Sequence, residues 1–199
     1  ADPEKIKGVL KTELIDIRDR YGDERKTEIQ DVEDEIDIED LIDEEDCVYT
    51  LTHNGYIKRL PTAEYRAQGR GGKGVKAMAT REEDYVETVF TASTHDSILF
   101  FTNLGKVYVR KGYRIPEAGR SARGQNIVNI IPTDPGEKVS AMIAGRGITE
   151  DNYLVFVTRS GTVKRTAQSA FKNIRSNGIR ALSLDEGDEL ITVLQTSGE

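Results

Sequence analysis

A short segment rich in glycine and in cations has the clearest chemical meaning in this sequence. It consists of Gln68, Gly69, Arg70, Gly71, Gly72, Lys73 and Gly74. Glycine removes side-chain bulk, so backbone N–H groups can approach a phosphate closely, and the arginine and lysine supply positive charge. The segment therefore predicts an anion-binding loop. A flexible surface turn is the alternative, because glycine-rich loops are common.

Two familiar nucleotide-binding motifs do not fit this segment. A Walker loop needs a longer gap before its Gly-Lys pair and a Ser or Thr after the lysine, whereas Gly74 follows Lys73 here. A Rossmann fingerprint would have to follow a strand and open a helix. The segment therefore does not indicate a phosphate-using enzyme, although that class stays among the alternatives.

Cations recur at matching positions further along the chain. Arg120 and Arg123 precede Gly124, and Arg175 precedes Gly178. Basic pairs also close three strand-like segments, namely Lys58, Arg59, Arg110, Lys111, Lys164 and Arg165. Repetition in register predicts a continuous basic rim, which suits the evenly spaced phosphates of a duplex. The alternative is that such ends are simply exposed and charged.

Catalytic and metal sites have little support in the sequence. Cys47 is the single cysteine, and His53 and His95 are the two histidines, so neither an internal disulfide nor a Cys/His zinc cluster can form. His95 and Asp96 are adjacent in sequence, which does not give the geometry of a catalytic triad. We therefore predict no catalytic residue and no metal ligand in this chain.

Three similar hairpins position the basic residues. Residues 48–59, 98–110 and 154–165 each read as a strand, a threonine, two residues, a glycine and a second strand. The glycines are Gly55, Gly105 and Gly161, placed where a tight turn needs positive φ. Further strands are expected near residues 86–92, 139–144 and 189–194. A repeat of about 50 residues is typical of propeller blades, with units near 47–96, 97–152 and 153–199.

The first 46 residues differ from the rest in charge and in pattern. They carry 7 Lys/Arg and 19 Asp/Glu, a net charge of −12, whereas residues 47–199 carry 21 and 16, a net charge of +5. Apolar residues recur with helical spacing over residues 3–21, with Asp2 as a cap and Gly22 as a left-handed stop. Residues 31–46 read as an acidic connector, either solvated or acting as a strap that competes with nucleic acid for cations.

No long apolar run or signal peptide occurs, so we expect a soluble, cytoplasmic protein without a membrane partner. The chain starts without a methionine and enters a predicted helix almost at once. We therefore expect it to be a piece of something longer.

The glycine-rich segment and its setting resemble the A subunits of bacterial DNA gyrase, a type IIA topoisomerase. Residues 68–74 are similar to the gyrase A box, whose usual form is Gln-Arg-Arg-Gly-Gly-Lys-Gly, with Gly69 where that family commonly has arginine. Similar stretches also occur at 20–23, 39–42, 92–96, 122–125, 127–129 and 187–190.

The resemblance implies a mainly β fold, a partial β-pinwheel of about three propeller-like blades at residues 47–199. Residues 1–30 would be the end of the helical arm of the breakage-reunion region, and residues 31–46 the connector. It implies binding and positive wrapping of double-stranded DNA, so that the holoenzyme introduces negative supercoils with ATP. The partner would be the B subunit in an A2B2 holoenzyme, which supplies the ATP and magnesium site. No cofactor is expected in this fragment.

The resemblance leaves two other binding modules as alternatives. One is the C-terminal domain of the topoisomerase IV C subunit, which shares the fold but usually lacks an intact box. The other is a propeller-type protein-interaction module, which would need no basic rim. Because blades of this family exchange strands, the strand at 189–195 is expected to be an open edge.

Overall fold

The computed structural model describes residues 2–23, 38–65, 84–145 and 152–197. The chain divides into two compact units, residues 1–37 and 38–199.

The first unit contains one helix, α1, at Pro3–Tyr21, as its apolar periodicity predicts. The Asp2 carboxylate caps it by accepting a hydrogen bond from the Glu4 N–H at 3.1 Å. Gly22 ends the helix with a φ of −71°, so the predicted left-handed stop is wrong. Its N–H instead donates to the Arg18 carbonyl from extended backbone.

The second unit begins with a 3₁₀ helix at Ile38–Leu41 and continues as three antiparallel hairpins. The hairpin strands are β1 (Asp46–Thr52) with β2 (Tyr56–Pro61), β4 (Ser97–Thr102) with β5 (Lys106–Lys111), and β8 (Tyr153–Thr158) with β9 (Val163–Ala167). Gly55, Gly105 and Gly161 occupy the turns with φ of 79°, 74° and 88°, which confirms the predicted turn positions.

A closing strand pairs with the first strand of each hairpin. These strands are β3 (Val86–Ser93), β7 (Val139–Gly145) and β11 (Leu190–Thr196), close to the predicted positions. Short 3₁₀ helices follow the hairpins or lie in the connections, at Thr62–Glu64, Gly112–Arg114, Ile127–Asn129 and Gln168–Phe171.

Neighbouring hairpins exchange a short strand. The two exchanged strands are β6 (Gln125–Asn126), which follows the second hairpin but pairs with β2, and β10 (Ile179–Arg180), which follows the third but pairs with β5. The resulting sheet orders are β3-β1-β2-β6, β7-β4-β5-β10 and β11-β8-β9.

Among the described residues the third sheet has three strands where the first two have four, and β11 is one of its edges, as expected for residues 189–195. Strand β11 pairs with β8 from Leu190 opposite Thr158 to Thr196 opposite Tyr153. In the first two sheets the exchanged strand adds to the second hairpin strand, so the corresponding open place in the third sheet lies beside β9.

The core lies between adjacent sheets. Strand β4 alternates, with Ile98 and Phe100 in one cluster and Leu99 and Phe101 in the other. The first cluster joins β4 to residues of the first sheet, such as Tyr49 on β1. The second cluster joins β4 to residues of the third sheet, such as Phe156 on β8. Both faces of the middle sheet are therefore buried, and the hairpin ends remain to carry surface chemistry.

Candidate nucleic-acid interface

The cations of the first hairpin hold the fold together. Lys58 is fully buried, and its ammonium donates hydrogen bonds to the carbonyls of Gly119, Arg120 and Ala122 at 2.8, 3.1 and 3.1 Å. Burial lowers the pKa of Lys58. Three acceptors nevertheless require three N–H donors, so this geometry is that of the ammonium form. Lys58 thus has no surface to offer a phosphate.

Arg59 is also engaged inside the protein. Its Nε donates to the Ile115 carbonyl at 3.0 Å, and its guanidinium lies 3.2 Å from the Glu45 carboxylate and 3.1 Å from that of Glu117. Its side chain is 14% exposed. The structure therefore places Arg59 as a tie between the first hairpin and two acidic segments.

The cations of the second hairpin are partly engaged. The Arg110 guanidinium donates to the carbonyls of Ile130 at 2.9 Å and Ser176 at 3.3 Å. Burial and the nearby Arg114 lower the pKa of Arg110. The Lys111 ammonium lies 2.8 Å from the Glu39 carboxylate.

Two arginines of the loop at residues 119–123, which lies before β6, stack on tyrosines. The Arg120 guanidinium carbon lies 5.6 Å from the centre of the Tyr65 ring, and that of Arg123 lies 3.4 Å from the centre of the Tyr56 ring. The Nε atoms of both arginines are buried without a hydrogen-bond partner. Stacking fixes a planar guanidinium while leaving its edge to donate to an anion.

The remaining predicted cations are exposed. The residues Lys164, Arg165 and Arg175 are exposed to solvent. The Arg165 guanidinium lies 4.7 Å from the centre of the Tyr153 ring. Together with Arg120 and Arg123 they give five cations at the protein surface.

The glycine-rich segment, residues 68–74, lies outside the described residues, so its predicted role stays a prediction. The described residues nearest to it on each side are Tyr65 and Asp84. The Tyr65 ring lies under Arg120. The charge of Arg123 is close enough to contribute to lowering the pKa of Asp84. The loop before β6 therefore contacts Tyr65 and faces Asp84.

The acidic connector is not simply solvated over residues 38–46. The Ile42 carbonyl lies 2.8 Å from His95 Nε2, and the Thr94 hydroxyl donates to the Asp43 carbonyl at 2.9 Å. Glu39 and Glu45 pair with two of the predicted DNA-binding cations, Lys111 and Arg59. This segment is therefore attached to the first two sheets.

Sequence reasoning missed the tyrosines that carry arginines and a repeated threonine–carboxylate contact. The Thr102 hydroxyl donates to the buried Glu137 carboxylate at 2.6 Å, and matching pairs occur between Thr52 and Asp84 and near Thr158 and Asp188. The sequence does contain a signal for the threonine–carboxylate contact, since a threonine precedes the turn glycine by three residues in each hairpin. The tyrosines give no such signal, because an arginine distant in sequence reaches each ring.

No group of three or more His, Cys, Asp or Glu side chains that could hold a metal ion occurs in the ranges that the structure covers. None of the helices in these ranges is long and apolar enough to cross a membrane.

Repeated antiparallel units that exchange strands and carry surface arginines define a propeller-like β-pinwheel domain. Residues 48–93, 96–145 and 152–197 match the family described as DNA gyrase C-terminal domain, beta-propeller. The chain belongs to this family.

Curated relatives match over the full chain. The gyrase A protein of Clostridium acetobutylicum is 50% identical over 199 residues, and that of Staphylococcus aureus strain NCTC 8325 is 52% identical over 205. The match covers 100% of this chain and 24% and 23% of these relatives. The chain thus spans about a quarter of their length.

Solved structures agree with the assignment. A crystal structure of the C-terminal domain of DNA topoisomerase IV superposes with a TM-score of 0.67 at 28% identity, covering 79% of this chain and 47% of that one. A structure of the DNA gyrase A C-terminal domain gives a TM-score of 0.61 at 29% identity, covering 76% and 48%.

Proposed function

We propose that this chain binds and wraps duplex DNA as part of a gyrase A protein. A positive wrap would let the A2B2 holoenzyme, formed with the B subunit and supplied with ATP, introduce negative supercoils into DNA. The chain itself would bind and bend rather than react, and the whole protein would work in the cytoplasm at the nucleoid. The observation that carries the proposal is the set of surface cations on the third hairpin and in the loops that lead into the two exchanged strands of this family's fold.

The physical basis is phosphate binding with little base readout. Arg120, Arg123 and Arg175 lie in the loops that lead into the exchanged strands, and Lys164 and Arg165 lie on the exposed strand β9. Five phosphate contacts predict that the logarithm of the association constant falls with the logarithm of salt concentration with a slope of about −4.5. Binding should show weak sequence preference, because phosphates carry no base information.

The test is fluorescence anisotropy of this chain with labelled duplexes of unrelated sequence, over a salt series. We expect similar affinities for all duplexes and the steep slope given above. Binding that does not change with salt would instead favour the protein-interaction module.

Wrapping is tested in the full gyrase A protein with its B partner. Replacing residues 68–74 by alanine should abolish ATP-dependent negative supercoiling, whereas relaxation without ATP should survive. Normal supercoiling by the alanine variant would contradict the role of the box.

The topoisomerase IV C subunit is the second candidate, because its solved domain has the higher of the two TM-scores above.

A further inference from the structure

The loop at residues 119–123 is organised from below by a buried cation. The Lys58 ammonium is bonded to the carbonyls of Gly119, Arg120 and Ala122, so three peptide oxygens of one short loop point inward. An ammonium has three N–H donors and no acceptor, and all three are used here.

The opposite ends of those peptide groups point outward. In a trans peptide the N–H lies opposite to the C=O, and the described residues contain no cis peptide bond. The N–H groups that share a peptide with the three carbonyls belong to Arg120, Ser121 and Arg123. Neighbouring N–H groups directed to one side of a loop form an anion-binding concavity.

Two guanidiniums flank the same loop in fixed positions. Tyr65 lies under Arg120 and Tyr56 under Arg123, so both arginines are held before any ligand arrives. Both Nε atoms are buried, so the terminal nitrogens of the two guanidiniums are the donors that can reach an anion. An arginine that is already ordered loses less conformational entropy when it binds an anion.

We propose that this loop is a phosphate site in which the N–H groups of Arg120, Ser121 and Arg123 and the two guanidiniums hold one phosphate group. Lys58, Tyr56 and Tyr65 are positioning residues, because they orient the loop and the arginines without touching the phosphate. The source of the phosphate as DNA backbone rests on the proposed function, whereas the site itself does not.

Two carboxylates oppose an anion here, since Asp84 faces Arg123 and Glu64 lies near Arg120. Glu64 lines a cleft of about 630 Å³ together with Ala63, Arg120 and Ser121. We therefore expect Glu64→Gln to strengthen phosphate binding about twofold, since it removes a repulsive charge from the cleft wall.

The decisive experiment is a titration of the ¹⁵N-labelled chain with inorganic phosphate, against sodium chloride at equal ionic strength. Phosphate should shift the amide signals of Arg120, Ser121 and Arg123 saturably, and chloride should not. Lys58→Met should weaken phosphate binding at least tenfold. Lys138→Gln, an equal change of charge at an exposed lysine outside the loop, should leave it unchanged.

A second pair of variants covers the case in which Lys58→Met does not fold. Arg123→Gln removes a donor, so it should weaken duplex binding about fivefold and reduce the salt slope by about 1. Tyr56→Leu keeps the charge but frees the arginine, so it should weaken binding about threefold with the slope unchanged. A wild-type affinity for duplex and phosphate in both variants would overturn the proposal.

The phosphate titration and the duplex-binding measurement also distinguish the phosphate site from the proposed function. Unmoved amides at the loop, together with salt-dependent duplex binding, would overturn the phosphate site and leave DNA binding intact. Saturable phosphate shifts without any duplex binding would support the site and contradict the DNA function.

Discussion

The repeated threonine–carboxylate contact shows how single residues fix a hairpin. The Thr102 hydroxyl donates to Glu137 and accepts a hydrogen bond from the Lys106 N–H, so one side chain joins the turn to the acidic segment before β7. Glu137 also accepts a hydrogen bond from the Asp134 N–H at 2.7 Å. A buried carboxylate needs such donors, because unpaired burial of charge is costly.

Thr102→Val should therefore lower the free energy of unfolding by about 2–3 kcal/mol, since a hydrogen bond to a buried charge is lost. Thr102→Ser keeps the hydroxyl and should cost about 1 kcal/mol for the lost methyl group. Urea denaturation measures both. Equal losses in the two variants would show that packing, rather than the hydroxyl, stabilises the turn.

The carboxylates at the other two hairpins predict acid sensitivity. Burial alone would raise the pKa of Asp84, but hydrogen bonds from the Asn54 N–H, the Thr52 hydroxyl and the Tyr85 N–H outweigh it, and the pKa is lowered. Hydrogen bonds from the Ser160 and Thr158 hydroxyls likewise lower the pKa of Asp188. A lowered folded-state pKa stabilises the fold above the unfolded-state value of about 3.9, and this stabilisation is lost as the pH falls through the folded-state pKa.

We expect thermal stability to fall progressively below about pH 5, because unfolded carboxylates then bind protons first. In the Asp84→Asn, Asp188→Asn double variant the loss between about pH 5 and about pH 2 should be smaller. Differential scanning calorimetry across this range makes the comparison. An unchanged pH profile in the double variant would assign the acid sensitivity to other groups.

At the scale of elements, the hairpins could be predicted from the residues, whereas strand exchange was implied only by the family resemblance and the positions of the exchanged strands could not be predicted. Alternating residues and a turn glycine specify a hairpin locally, which is why the spacing of Gly55, Gly105 and Gly161 placed the strands nearly to the residue. Strands β6 and β10 have two residues each, too few to show an alternating pattern, and each pairs with the preceding hairpin. Lys58 is buried by the loop that leads into β6, so its burial could not be predicted from the sequence either.

Gly124 allows the loop before β6 to lie close to β2. It has a φ of 78°, and a Cβ there would collide with the Ile57 carbonyl oxygen on β2. Gly124→Ala should therefore cost about 2–4 kcal/mol of unfolding free energy, from left-handed strain and from overpacking.

Two other glycines separate these causes. Gly136 has a φ of 82° with open space around its Cβ position, so Gly136→Ala should cost only about 1 kcal/mol. Gly119 has neither constraint, and Gly119→Ala should stay within about 0.5 kcal/mol. Chemical denaturation of the three variants ranks them. A loss for Gly124→Ala no larger than for Gly136→Ala would mean that β6 can move away from β2.

At the scale of the whole molecule, charge is divided between an acidic start and a basic remainder. Residues 38–46 bring six carboxylates and no cation to the second unit, and Glu39 contacts Lys111, one of the cations that sequence reasoning assigned to the rim. Sequence composition indicated either a solvated connector or a competing strap. The observed contacts show that these residues are attached to the second unit, and their competition with nucleic acid stays a prediction.

Neutralising Glu39 should therefore strengthen duplex binding by more than its charge alone explains. Glu39→Gln frees Lys111 to meet a phosphate, and we expect about a threefold higher affinity and a salt slope about 1 steeper. Asp40→Asn is the matched control, since it removes one charge from the same 3₁₀ helix at an exposed position. It should strengthen binding less than about twofold with the slope unchanged. Anisotropy at several salt concentrations measures both quantities, and identical behaviour of the two variants would leave residues 38–46 with an electrostatic background effect and no competition for Lys111.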